Sequence, residues 1–360
     1  MKLPLPSVRS LTSRASGAAA LLAVAGCGLL GKGGPDPVAL RGTVLTDTTS
    51  LAVPTDLLVD EGKLVVHDTR GANVVRVFDL QGRAVAEAGR EGSGPSEFVD
   101  PMGVARRPGR PGEFWVYDGR LARLTPFKVS ELAGGRTASA APLRLSSGLV
   151  IETPLWLDDT TVVALNPMIK TGEGRFVIFG PDGVARGTVG DPPPGDTRTL
   201  TPFIRQQLYG GRMAAHPTRP EFVVASHYAG RLEVYGRDGK LVRGFQVPDA
   251  FEPDVRPAPD HVNFLPNDGF RVGYVDVAVT ADRIYALFSG RLDKDEGDAF
   301  FGDQVQVFDW QGNLLQVLKL DSSVLRIALD PQAATLYAVR HDPYPQVVSY
   351  RLSDAPSSAD

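Results

Sequence analysis

Asp56, Arg212, Asp276 and Arg326 each open a similar five-residue run: DLLVD at 56, RMAAH at 212, DVAVT at 276 and RIALD at 326. Two more runs of this kind, GVARR at 103 and PLWLD at 154, carry Gly103 and Pro154 at the same first position. Arginines grip carboxylate or phosphate through parallel N–H donors, and aspartates accept from hydroxyls. Alternating Asp and Arg at one register position therefore suits a polar ligand site, and it equally suits two structural ion pairs. A second group, Phe203, Arg205, Tyr209, Phe251, His261, Phe264, Phe270 and Arg271, lies on long irregular segments. Aromatics mixed with arginine are typical of recognition surfaces. The alternative for this group is simple cover over apolar edges.

Other chemistry finds little support. His67, His216, His227, His261 and His341 show no zinc spacing. Asp293, Asp295 and Asp298 in DKDEGD are similar to part of a calcium loop, but position 12 is Gln304 where an EF-hand needs Glu. That stretch reads as a solvated acidic loop. Cys27 is the single cysteine, so no intramolecular disulfide can form, and no Ser-His-Asp signature is present. No catalytic residue, metal or cofactor is expected.

The elements that must position these residues recur. KLVVHD at 63, EFWVYD at 113, TVVALN at 161, EFVVAS at 221, RIYALF at 283 and TLYAVR at 335 are β-favouring runs about 50 to 60 residues apart. A second unit places an aromatic four residues before a glycine: Phe78 and Gly82, Phe179 and Gly183, Tyr235 and Gly239, Phe308 and Gly312. Asp182-Gly183 and Asp238-Gly239 carry a strong hairpin signal. Helical periodicity is confined to TPFIRQQLYG at 201–210. The 39 glycines and 29 prolines are spread along the chain, as turns between short strands require.

Six units of this size predict an all-β fold: a six-bladed β-propeller over 38–352, each blade a four-stranded antiparallel sheet. The segment VALRGTVLTD at 38–47 has no blade of its own. It is expected to close the last blade as its outer strand and so cover an exposed edge. GREGSGPSEFVDPMGVA at 89–105 then becomes the connection from blade 1 to blade 2. Its glycines suggest a phosphate cradle, but a dinucleotide loop leads into a helix and here a strand follows. Innermost strands line the channel, so the four charged residues form a collar at its mouth. Three long segments, 190–212, 248–273 and 289–304, share one face with that mouth.

GREGSGPSEFVDPMGVA together with FWVYD resembles the blade junction of NHL-type repeats and of the related six-bladed propeller lipoproteins of the TolB-like superfamily. The match is strong over 63–130 and only periodic elsewhere. The resemblance implies a binding scaffold without attached chemistry. Six-bladed propellers also include lactonases that hold calcium at the channel mouth on Glu, Asn and Asp. Two arginines in the ring here oppose a cation, which leaves a lactonase-like, metal-dependent hydrolase as the alternative.

Residues 1–26 carry Lys2, Arg9 and Arg14 without an acid, followed by an apolar run from Ala18 to Ala25. This pattern is a secretory signal, too short to span a bilayer. Val24-Ala25-Gly26-Cys27 resembles a bacterial lipobox, which implies a lipidated Cys27 at the mature N-terminus; the alternative is a plain signal with a stray cysteine. Gly28 resembles the sorting position of outer-membrane lipoproteins. Residues 27–37 then form a tether and 353–360 a polar tail. Without residues 1–26 the chain has 35 basic and 42 acidic residues, a net −7. So acidic a chain excludes nucleic acid as partner. The expectation is a monomeric, exported, lipid-anchored envelope protein that binds a protein, peptide or glycan through its loop-rich face and channel mouth.

Overall fold

The computed structural model describes residues 34–352 except 136–139, 195–199, 246, 249, 254–255, 258–261, 264–268, 296, 331 and 333. Cys27, His261 and Phe264 lie outside the described residues. Blade 1 comprises Pro54–Asp60, Lys63–Asp68, Val75–Asp79 and Ala84–Ala88, hydrogen-bonded in that order from the channel outward. The inner strands of the other five blades are Pro101–Arg106, Glu152–Asp158, Gly211–Ala215, Tyr274–Val279 and Arg326–Asp330. The chain is a six-bladed, all-β propeller, as its repeats predict.

The second strand of each blade is the strongest signal in the sequence because it has a partner strand on either side and a neighbouring blade on either face. Side chains alternate across it. In blade 1, Leu64 and Val66 pack toward blade 6 with Tyr337 and Val347, whereas Val65 packs toward blade 2 with Phe114 and Val116. Both faces are buried, so the run reads as continuously apolar. The core is accordingly divided into interblade layers, such as Trp115 and Trp156 between blades 2 and 3 and Phe176 and Phe222 between blades 3 and 4.

The recurring glycine has a steric cause. Gly183 sits at φ +75° in the turn to the outer strand of blade 3, and a Cβ there would lie 2.1 Å from the Arg144 carbonyl oxygen of blade 2. Gly82 presses in the same way on the Leu45 carbonyl of the closing segment. Each such turn nests on the edge of the preceding blade, and only glycine permits both the backbone angle and the approach.

The connection at 89–105 behaves as a bend whose would-be anion site is filled from within. Glu97 accepts from the Gly94 N–H at 2.9 Å and pairs with Arg90 at 2.7 Å. These contacts hold the half-buried Glu97 carboxyl below its usual range.

Closure follows the expectation with one addition. Thr43–Val44 pairs antiparallel with Gln346–Arg351 and completes blade 6. Val38–Leu40, however, runs parallel to Leu314–Val324 as a fifth strand on blade 5. Leu40 is apolar and finds its burial among Leu318 and Leu320 there, so the segment divides between two blades. Gly42 is the step between them. Its N–H donates to Asp321 at 3.0 Å, and a Cβ would lie 2.5 Å from Val348 and 3.0 Å from the Tyr350 ring. Gly42→Leu is expected to cost about 1–3 kcal/mol through overpacking. Thermal unfolding checks this, and an unchanged midpoint would contradict the closure geometry.

Candidate functional site

Each inner strand begins at the end of the channel where the interblade connections and the second-to-third strand loops also lie. At that end Arg212 of blade 4 reaches across the lumen to Asp56 of the opposite blade, with Nη2 3.1 Å from Oδ2. The same guanidinium meets Asp276 of blade 5, with Nε 3.3 Å from Oδ1. The carboxylates continue the path into the backbone. Asp56 accepts from Leu57 N–H at 2.9 Å and from Val104 N–H of blade 2 at 3.2 Å, and Asp276 accepts from Ile327 N–H of blade 6 at 2.9 Å. The two reaches are equivalent: each carboxylate takes the amide one residue past the aligned position of the next blade. In blade 2 that aligned position is Gly103, where a Cβ would stand 2.6 Å from Asp56 Oδ2.

Arg326 completes the aligned set without joining the triad by ion pairing. It donates to the carbonyls of Leu325 at 2.8 Å and Val275 at 3.5 Å, and its buried Nε has no partner among the described residues. Burial, with repulsion from Arg212, pushes Arg326 down to about 10, while Asp276 and Asp56 pull back. Burial alone would raise Asp56, but the guanidiniums of Arg212 and Arg326 outweigh it and hold it low. Burial wins at Asp276, which is raised. Of the two carboxylates sharing Arg212, Asp56 keeps its charge and Asp276 takes a proton more readily.

Buried His67 and half-buried His227 stand behind the triad. His67 Nδ1 lies 2.9 Å from Thr55 Oγ1 and His227 Nδ1 2.8 Å from the Tyr274 carbonyl. Burial pushes both down to about 4, against Asp56 and Asp68 at His67 and with Arg326 and Arg212 at His227. Their role was not legible from histidine spacing. Among the described residues no three His, Cys, Asp or Glu side chains are grouped to hold a metal ion. Asp295 and Asp298 of the acidic loop accept from their own backbone, at Leu292 N–H and Phe300 N–H.

The loop-face residues are dispersed. Phe203 is exposed on the helix Pro202–Tyr209, which Thr201 caps by accepting from Ile204 N–H. Arg205 donates to the Pro193 carbonyl at 2.7 Å. Tyr209 is buried, its hydroxyl 2.5 Å from Glu252. Arg271 lies over the Phe251 ring at 4.9 Å, and Phe270 packs edge-on against Tyr228. Sequence reasoning missed the anchor beneath Tyr209. Fully buried Arg175 pairs with Glu233 at 2.8 Å, donates to Tyr235 and to the Tyr209 carbonyl, and so ties blade 3 to blade 4. No motif marks it, because Arg175 and Glu233 are far apart in the chain.

Below the triad the channel is a cavity of about 410 Å³, lined by inner-strand residues from Asp56 and Arg212 to Asp60 and Arg106. With this geometry in hand, the profile of TolB-like six-blade propellers matches residues 212–332. The likeness is to TolB-like propellers. A DUF4221 family member from Bacteroides vulgatus superposes with a TM-score of 0.54 at 10% identity, covering 86% of this chain and 95% of that one. A protein of Bacteroides fragilis described as exported gives 0.56 at 11% identity, covering 86% and 94%. At such identities the superpositions establish the shared propeller fold alone. No curated protein matches the sequence.

Arg212→Ala leaves two buried carboxylates without the guanidinium that pairs them, and about 3–5 kcal/mol of stability should be lost. Denaturant titration measures this; a loss under 1 kcal/mol would remove the triad from its structural role. A second expectation concerns acid. His67 and His227 are neutral in the fold yet titrate near 6.5 when unfolded, so the unfolded state binds more protons between about 4 and 6.5. Their contribution is complete above 6.5 and is lost as pH falls toward 4, on the order of 3 kcal/mol per histidine. Thermal midpoints recorded across that window should fall with acid, and more shallowly in His67→Gln.

Proposed function

We propose that the protein is a noncatalytic envelope scaffold that docks a protein, peptide or glycan through its loop-rich face, with protein as the favoured partner. The observation that carries this reading is a run of exposed apolar side chains on that face of blades 2 to 4. Val99 and Met102 flank the start of the blade 2 inner strand, Val150 precedes that of blade 3, Met168 sits in a blade 3 loop and Phe203 on the helix before blade 4. Their exposures are 46%, 47%, 60%, 50% and 38%. Apolar groups gathered on one face of a soluble domain mark interaction surfaces. Export is supported by the Bacteroides fragilis protein of the same fold, which is described as exported. Among the described residues no helix is long and apolar enough to cross a membrane. Lipid on Cys27, an outer-membrane address and kinship with NHL-type lipoproteins complete the proposal.

Val150→Ser with Met168→Ser should abolish capture of a partner from envelope extract, while Leu241→Ser on the outer strand of blade 4 should not. Equal capture by all three proteins would reject the face. Mass spectrometry of the N-terminus tests the anchor: an unmodified Cys27 would refute it.

A further inference from the structure

The channel below the triad has chemistry that the docking face does not use. Its volume, about 410 Å³, lies in the range of small-molecule sites. Arg106, the last residue of the blade 2 inner strand, lines it near the mouth formed by the first-to-second strand turns. It is exposed and its guanidinium makes no hydrogen bond or ion pair among the described residues, whereas its neighbours are committed. Arg107 lies over Trp156 at 4.1 Å and donates to the Asp159 carbonyl at 2.6 Å, and Arg110 stands 3.4 Å from the Asp159 carboxylate. Asp60 and Asp330 act on Arg106 only through space, and Asp60 accepts from Gly112 N–H at 2.9 Å.

Inward of Arg106 the wall is apolar, with Leu58, Val104, Ala214 and Ala278. At the far end Thr153 holds the left-handed φ of +47°, an angle a β-branched residue rarely adopts, and its buried hydroxyl has no partner among the described residues. Strain and an unpartnered hydroxyl in a cavity wall are features retained at ligand sites. The sign of the ligand follows from the lining. Asp56 and Asp276 are already held by Arg212 and Asp60 by the Gly112 N–H, which leaves exposed Arg106 as the charge most open to an incoming group.

We propose that the channel binds a small organic anion with an apolar body, its carboxylate held by Arg106 at the turn-side mouth and its tail laid along Leu58, Val104, Ala214 and Ala278. The probe is octanoate, titrated calorimetrically into the purified protein, with octanol and octylammonium as uncharged and cationic counterparts. Octanoate should bind best. Arg106→Gln should weaken octanoate by about tenfold or more, the worth of a lost charge-assisted contact, and leave octanol unchanged. Ala214→Phe, which fills the apolar wall, should weaken both. Because Arg106 has no internal partner, the thermal midpoint of Arg106→Gln should match wild type in the absence of ligand. The proposal is overturned if octanoate does not bind at millimolar concentration, if Arg106→Gln binds it as wild type does, or if octylammonium binds equally well.

Discussion

One guanidinium spans the ring. A propeller's blades touch only their neighbours, so opposite blades are ordinarily coupled through every interface between them. Arg212 shortens that path by joining blade 4 to blade 1 across the lumen and to blade 5 beside it. The carboxylates it holds hand the connection to backbone amides of blades 2 and 6. Five blades thus share one electrostatic knot at little solvent exposure. Blade 3 stands outside, because Pro154 occupies the aligned position and brings no side-chain charge.

The knot also sets the conditions for its surroundings. Two carboxylates around one arginine leave a negative balance, and Arg326 behind them supplies the compensating charge from carbonyl-bonded surroundings. Histidines packed in the same region stay neutral, since protonating them would add cations beside two arginines in a dry environment. The channel mouth is better described as a sealed, charge-balanced layer than as an open ring of ligands. Open chemistry lies on either side of it.

The fold was legible because its signals are local and repeated. Second strands buried on both faces, and glycines forced by turn nesting, recur at nearly constant spacing, and alignment of the inner strands places Asp56, Arg212 and Asp276 together from sequence alone. The same alignment could not see that Arg212 would cross the lumen while Arg326 would turn to carbonyls, because side-chain direction depends on the blade geometry. It also missed Arg175 with Glu233, a contact between blades with no periodic trace. Tyr209 reads as a recognition aromatic in sequence, yet it is buried over that pair. Exposed Val150 and Met168 drew no notice for the opposite reason: isolated apolar residues in loops are unremarkable until the fold gathers them on one face.

The paired strands Thr43–Val44 and Gln346–Arg351 carry a consequence for folding order. Thr43 meets Ser349, a partner made roughly three hundred residues later, so a ribosome releases one half of the latch long before the other. Closing so long a loop is entropically late, and contacts of this range slow folding. Until then the strand at 346–351 presents a bare edge whose easiest substitute is the same segment of another chain. Ring closure is therefore the kinetic step on which solubility during biogenesis turns.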